Sequence, residues 1–288
     1  MKPIFILCEG PHDIAFLGRL LKSIGVKPFE EPLANYQPIP LRKFLITRYQ
    51  DRDVAGGHFR STGKNKGAFI AEAPPILEAA YRLEEPARLL LFLRCLGDQH
   101  ADAIRDFLES VVELSLPGAA NVGLASFGVI FVGDADDNGI ESKASYWRKE
   151  FEAVLTPVIP RFAELMANAP DKIVRCGDFS AGCCVFTSSG RTTGTLEDVV
   201  WPLLYQGISA RLDDAQKYVA THGVSGTEVA RGKNPSTKKQ KAALTIAGQI
   251  DSPGYALSVV LRDTLAFDDD LLRSDTACNT LIQTLIHV

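Results

Sequence analysis

The sequence predicts an α/β protein, with a mainly parallel sheet flanked by helices and a helical C-terminal appendage. Three observations carry this. Before residue 195, short apolar runs alternate with segments of helical periodicity. Runs such as Val129–Val132 are apolar without alternation, which suits a strand covered on both faces. After about residue 195 the strand signals fade and helical patterns dominate.

Taken in order, residues 3–8 read as the first strand, ending in Cys8-Glu9-Gly10. A helix follows from Pro11, which is well placed in a first turn because its missing N–H costs nothing there. Ile14, Leu17, Leu20, Leu21 and Ile24 recur at helical spacing, and Gly25 ends the pattern. Residues 26–67 carry four prolines and a Gly-rich basic loop, so they read as an irregular insertion. A helix around 68–84 is expected next, then a strand at Arg88–Leu93 and a helix at 101–114 bearing Ile104, Phe107, Leu108 and Val111 on one face. The strand Val129–Val132, a polar helix near 140–154 and short strands at Ile173–Cys176 and Cys184–Phe186 complete the core. Helices at 196–205, 209–220, 236–250 and 268–287 form the appendage. The division is therefore 1–194 for the α/β core and 195–288 for the helical region packed on it.

Composition narrows the class. With 46% hydrophobic and 23% charged residues the chain has ample material for a core, as a globular protein does. A net charge of −4 argues against a basic nucleic-acid coat but leaves room for an acidic site beside local basic patches. The six cysteines include no C-x-x-C pair and no histidine at zinc spacing. The apolar run before Glu9 is too short for a signal-peptide core, and no stretch approaches a membrane span. A reduced, cytoplasmic protein without membrane contact is the expectation.

Two acidic clusters sit where strands end. Glu9 and Asp13 follow the first strand, and Gly133-Asp134-Ala135-Asp136-Asp137-Asn138-Gly139 follows Val129–Val132. Carboxylates at strand ends in open α/β sheets commonly hold a divalent metal against a phosphate. Glu9 and Asp134 lie directly on apolar runs, which capping does not explain. Asp136 is two residues from Asp134, so an extended backbone would point both the same way. Asp13 has a second reading, as an acid complementing a helix N-terminus. Asp137 and Asn138 read as turn and cap residues. The calcium-loop look of D-A-D-D-N-G fails, because the twelfth position is Ser145 and a strand precedes it. His12, in the first cluster, could reach a phosphate or a metal-bound water, but reads first as a surface histidine in the first helical turn.

Strand–Glu9-Gly10-x-x-Asp13, followed by strand–Asp134-x-Asp136, resembles the Toprim domain of topoisomerases, primases, ribosomal-RNA maturases and OLD-family nucleases. Within that group the chain looks most like small stand-alone Toprim proteins. Glu197, in Gly194-Thr195-Leu196-Glu197-Asp198, and Lys241, before a small-residue helix, match that subgroup further. The resemblance implies a four-stranded parallel core and Mg²⁺ or Mn²⁺ at Glu9, Asp13, Asp134, Asp136 and Glu197. It implies a metal-dependent nuclease acting on DNA or RNA through Glu9, Asp134, Asp136 and Lys241. It also implies antiviral defence, with a separate ATPase as partner and room for an oligomer. The chain lacks the breakage module of topoisomerases and the ATPase domain of full-length OLD proteins. The competing reading is a non-catalytic Toprim-like module that binds nucleic acid or a partner. Thr195-x-x-Asp198 approximates a capping box, which accounts for Asp198, while Glu197 reads equally as a solvated surface acid.

Two basic stretches complete the reading. One contains Arg42, Lys43, Arg48 and Arg52, then Arg60, Lys64 and Lys66; the other contains Arg231, Lys233, Lys238, Lys239 and Lys241. The 56–66 loop has the wrong spacing for a P-loop. Arg60, Lys64, Lys66, Lys238 and Lys239 are instead candidates for neutralising phosphates without reading sequence.

Overall fold

Strand β1 (Lys2–Cys8) lies inside an eight-stranded sheet, and its two neighbours, β5 (Arg88–Arg94) and β6 (Gly128–Asp134), both run parallel to it. Strand β8 (Phe179–Phe186) extends the parallel centre beyond β6. The edges turn antiparallel: β4 (Ile76–Leu83), β3 (His58–Ser61) and β2 (Arg52–Ala55) lie outside β5, and β7 (Val174–Cys176) lies outside β8. This computed structural model describes residues 1–49, 52–55, 58–61, 75–95, 100–116, 123–164, 173–222, 235–250, 253–263 and 267–288.

The alternation of β1 builds two cores. Ile4, Ile6 and Cys8 face one side, while Phe5 and Leu7 face the other. Helix α1 (Pro11–Ser23) covers the first side together with the helices after residue 195. Helices α2 (Ile39–Tyr49), α3 (Ala101–Glu113) and α4 (Gly139–Leu155) cover the second. Each fully buried Leu, Ile or Phe contributes about 1.5–3 kcal/mol. Edge-to-face packing of Phe5 on Phe107, with centroids 5.5 Å apart, fixes α3 against the sheet.

Three expectations are corrected. Residues 76–83 form a strand rather than the end of a helix, because antiparallel pairing with β5 buries both faces of the segment and outweighs the helix propensity of Leu77-Glu78-Ala79-Ala80. The irregular insertion contains α2, whose Leu41, Leu45 and Tyr49 recur every four residues and are buried. The helix expected at 268–287 is two helices, α8 (Asp269–Ser274) and α9 (Thr276–His287). Asp275 separates them in an extended conformation and caps α9, accepting from the Cys278 N–H at 2.9 Å.

After residue 195 the described residues are helical, as expected. Helix α5 (Leu196–His222) bends at Ile208, where φ and ψ of −137° and 37° leave the helical region, close to the break between the two helices read from the sequence. Helices α6 (Pro235–Gly248) and α7 (Leu257–Asp263) follow, the latter without a clear signal in the sequence. Arg19 of α1 ties this layer down, pairing with Asp269 at 2.6 Å and donating to the Phe267 carbonyl at 2.9 Å. Among the described residues no helix is long and apolar enough to cross a membrane.

The link between the β6 end and α5 depends on one glycine. Gly194 has φ of +136°, and its backbone pairs with that of Asp136 through bonds of 2.8 and 3.1 Å. A Cβ there would lie 2.2 Å from the Ser188 nitrogen. Gly194→Ala is therefore expected to lower stability by about 2 kcal/mol or more, from both strain and clash. Urea unfolding checks this, and an unchanged midpoint would refute the assigned role.

Candidate functional site

Neighbouring parallel strands bring the two acidic clusters together. Cys8 pairs with Val132, so Glu9 emerges beside Gly133 and Asp134 follows one residue further along. A Cβ on Gly133 would meet Glu9 Oε1 at 2.4 Å and Trp147 at 3.3 Å. Glycine at 133 thus leaves room for the Glu9 carboxylate. Strand parity sends the two acids to opposite sides, with Glu9 leaning towards α4 and Asp134 towards α5.

Each carboxylate has a protein partner. Glu9 Oε1 accepts from the Lys143 ammonium of α4. Asp134 Oδ1 accepts from the Leu196 N–H at 2.7 Å, in the first turn of α5. Asp13 Oδ2 accepts from the Gly10 N–H at 2.8 Å, so the acid also helps to cap α1. Glu197 is buried and pairs with Lys241 of α6, Oε1 to Nζ 3.3 Å.

The acids feel one another. Burial pushes Asp13 up to about 7, opposed by the Gly10 hydrogen bond and raised further by Glu9 and Glu197. Burial likewise pushes Asp134 up to about 8, with added repulsion from Asp13, Glu9 and Glu197. The charges of Glu9 and Glu197 thus reach both Asp13 and Asp134. His12, against Lys241 and Glu197, is pushed down to about 4, mainly by burial and then by the Lys241 charge. Its imidazole is neutral at pH 7.

The structure brings Glu9, Asp13, Asp134, Glu197 and Lys241 into one neighbourhood. Asp136 differs from expectation. The strand stops at Asp134, and Asp136 sits at φ 50° with its side chain exposed, so extended geometry does not align the two. Its backbone instead bridges to Gly194. Asp137 lies in the turn, and Asn138 takes the N-cap position of α4 without a side-chain cap bond. Asp198 accepts from the Thr195 N–H at 2.9 Å, completing the capping-box half expected of it.

The basic stretches divide. Lys241 reaches the site, and Lys238 (half-buried) and Lys239 (exposed) lie on the same helix. Arg42, Lys43 and Arg48 belong to α2, where the Arg48 guanidinium stacks 5.1 Å from the Phe107 ring centroid. Arg60 belongs to β3, while Lys64 and Lys66 lie outside the described residues.

One residue was read only in part and another escaped the sequence reading. His12, read first as a surface histidine though able to reach the cluster, is half-buried beside the site. Lys143 is buried and contacts Glu9. A signal for Lys143 existed: Trp147 and Phe151 follow it at four-residue steps, which places the lysine on the core face of α4.

The donor set is all carboxylate, with an imidazole nearby, which suits a hard divalent cation such as Mg²⁺ or Mn²⁺ better than zinc or copper. Two ammonium groups already stand against these acids, as the charge of such an ion would. Among the described residues, no group of three His, Cys, Asp or Glu side chains is arranged to hold a metal ion.

No family model and no curated protein matches the chain. Among solved structures it is similar to a hypothetical protein from Pyrococcus horikoshii OT3, with 18% identity and a TM-score of 0.44. That match covers 100% of this chain and 95% of the other.

The shifted acids set a pH dependence. Asp13 and Asp134 bind protons more tightly when folded, at about 7 and about 8, than at their ordinary value of 3.8. Their contribution is thus fully present below the unfolded value and is lost as pH rises through the folded values. In metal-free buffer the Tm should fall between pH 5 and 9, and Asp134→Asn should flatten that fall. Thermal scans across this window test it, and a Tm that is flat or rising in the parent protein would count against the buried-acid cluster.

Proposed function

We propose that the chain is a metal-dependent nuclease, hydrolysing phosphodiester bonds of DNA or RNA at the acidic site. The observation that carries this reading is the convergence of Glu9, Asp13, Asp134 and Glu197 at the ends of two adjacent parallel strands and two helix starts. Burial and neighbouring carboxylates raise Asp13 and Asp134, an arrangement of little structural benefit, because neutral residues would pack there at lower cost. The likeness of Glu9-Gly10 and Asp134-x-Asp136 to Toprim motifs supports the same reading.

A Mg²⁺ or Mn²⁺ ion held by Glu9 and Asp134, with Asp13 and Glu197 beside them, would supply Lewis acidity to the phosphate and lower the pKa of a water. Lys241 is 45% exposed, so its ammonium can leave Glu197 and meet the negative charge that develops on the phosphate. Lys238 and Lys239 lie on the Lys241 helix, suited to contacts with backbone phosphates.

A second reading is favoured by the protein partner that each carboxylate already has. In it, the acids order strand ends and helix starts in a module that binds nucleic acid without cutting it.

Plasmid DNA and RNA incubated with Mg²⁺ or Mn²⁺ separate the two. The parent protein should cleave at least one substrate. Glu9→Gln and Asp134→Asn should each slow cleavage by about 100-fold or more, and Lys241→Ala by about 10- to 100-fold. Retention of nucleic acid on a gel without cleavage would favour the binding module. Cleavage that survives both acid substitutions would remove the site assignment.

A further inference from the structure

We propose that Lys143 is a built-in counter-cation of the acidic site, which competes with a divalent ion for Glu9 and so sets the metal affinity of the centre. The inference rests on the metal-dependent reading above and assigns a regulator of that same site.

Lys143 sits on the core face of α4, in line with Trp147 and Phe151. Its side chain is 9% exposed, and its ammonium contacts Glu9 Oε1. The same oxygen lies 2.4 Å from where a Cβ on residue 133 would fall, with Trp147 at 3.3 Å from that point. The carboxylate is thus confined between the β6 backbone, the indole and the lysine. Removing either partner of a buried ion pair leaves the other charge uncompensated, so the Lys143 ammonium and the Glu9 carboxylate each offset part of the other's desolvation.

The two lysines of the site are not equivalent. Lys241, 45% exposed, can follow a phosphate arriving from solvent, whereas Lys143 cannot do so without leaving its buried position. The Lys143 charge therefore acts on the acids rather than on the substrate. A divalent ion approaching Glu9 meets that positive charge and must displace or share it. At contact distances in a partly buried site, one unit charge is enough to change ion affinity by at least about tenfold. Lys143 is accordingly a positioning residue that holds Glu9 in place and keeps the metal-free site neutralised.

Calorimetric titration with Mn²⁺ tests this without substrate. Lys143→Met keeps the apolar stem and removes the charge, and it should bind Mn²⁺ at least about tenfold more tightly than the parent. Lys143→Arg should stay near the parent affinity. Unchanged or weaker binding by Lys143→Met, with normal binding by the parent, overturns the competition while leaving the nuclease reading intact. Failure of all three proteins to bind Mn²⁺ overturns both. If Lys143→Met does not fold, Mg²⁺ titration of the parent labelled with ¹⁵N-lysine decides. The Lys143 ammonium resonance, assigned with Lys143→Arg, should shift as the site fills, and a resonance unmoved at saturation refutes the proposal.

Discussion

The register between β1 and β6 is the constraint from which the site follows. Cys8 opposite Val132 places Glu9 beside Gly133 and Asp134 one step beyond. Parallel pairing matters here, because it puts both carboxyl ends at the same edge of the sheet. Helix α1 then starts at that edge and adds Asp13, while α5 starts there and adds Glu197. A slip of one residue would exchange the two faces of β1, moving Ile4 and Ile6 into the core that holds Phe5 and Leu7. The apolar packing of both layers therefore fixes the positions of the acids.

Electrostatics works against that arrangement, and the surrounding elements compensate. Two lysines, the first turn of α5 and the amide of Gly10 each face a carboxylate. None of these partners comes from the sheet. The strands supply positions, and the helices supply the opposing charge. This division accounts for the lysine that α4 buries at a core-facing position.

Much of the architecture was legible in the chain. The uniformly apolar runs of β1 and β6, and the helical spacing of α1 and α3, identify elements whose local preference and burial agree. The misread segments are those where the two conflict. Residues 76–83 carry helix-forming side chains but pair with β5, and the proline-rich 26–67 segment conceals the buried stripe of α2. Within the site, Glu9 and Asp134 stood out because no local cap accounts for them, and the cap that Asp134 does make, to the first turn of α5, lies 62 positions away. Asp136 was grouped with Asp134 by extended-chain parity, which the turn at φ 50° removes.

The sequence by itself determined the strand-end acids, the α/β class and the helical C-terminal region, because each is written in short-range pattern. Tertiary structure decided what surrounds the acids. Lys143 reaches Glu9 across 134 positions of sequence, the Leu196 amide reaches Asp134 across 62, and Glu197 meets Lys241 between two helices. Such contacts depend on the sheet order β5-β1-β6-β8 and on which face each helix covers. Local pattern carries no information about partners that distant, since the packing of two separate cores brings them together.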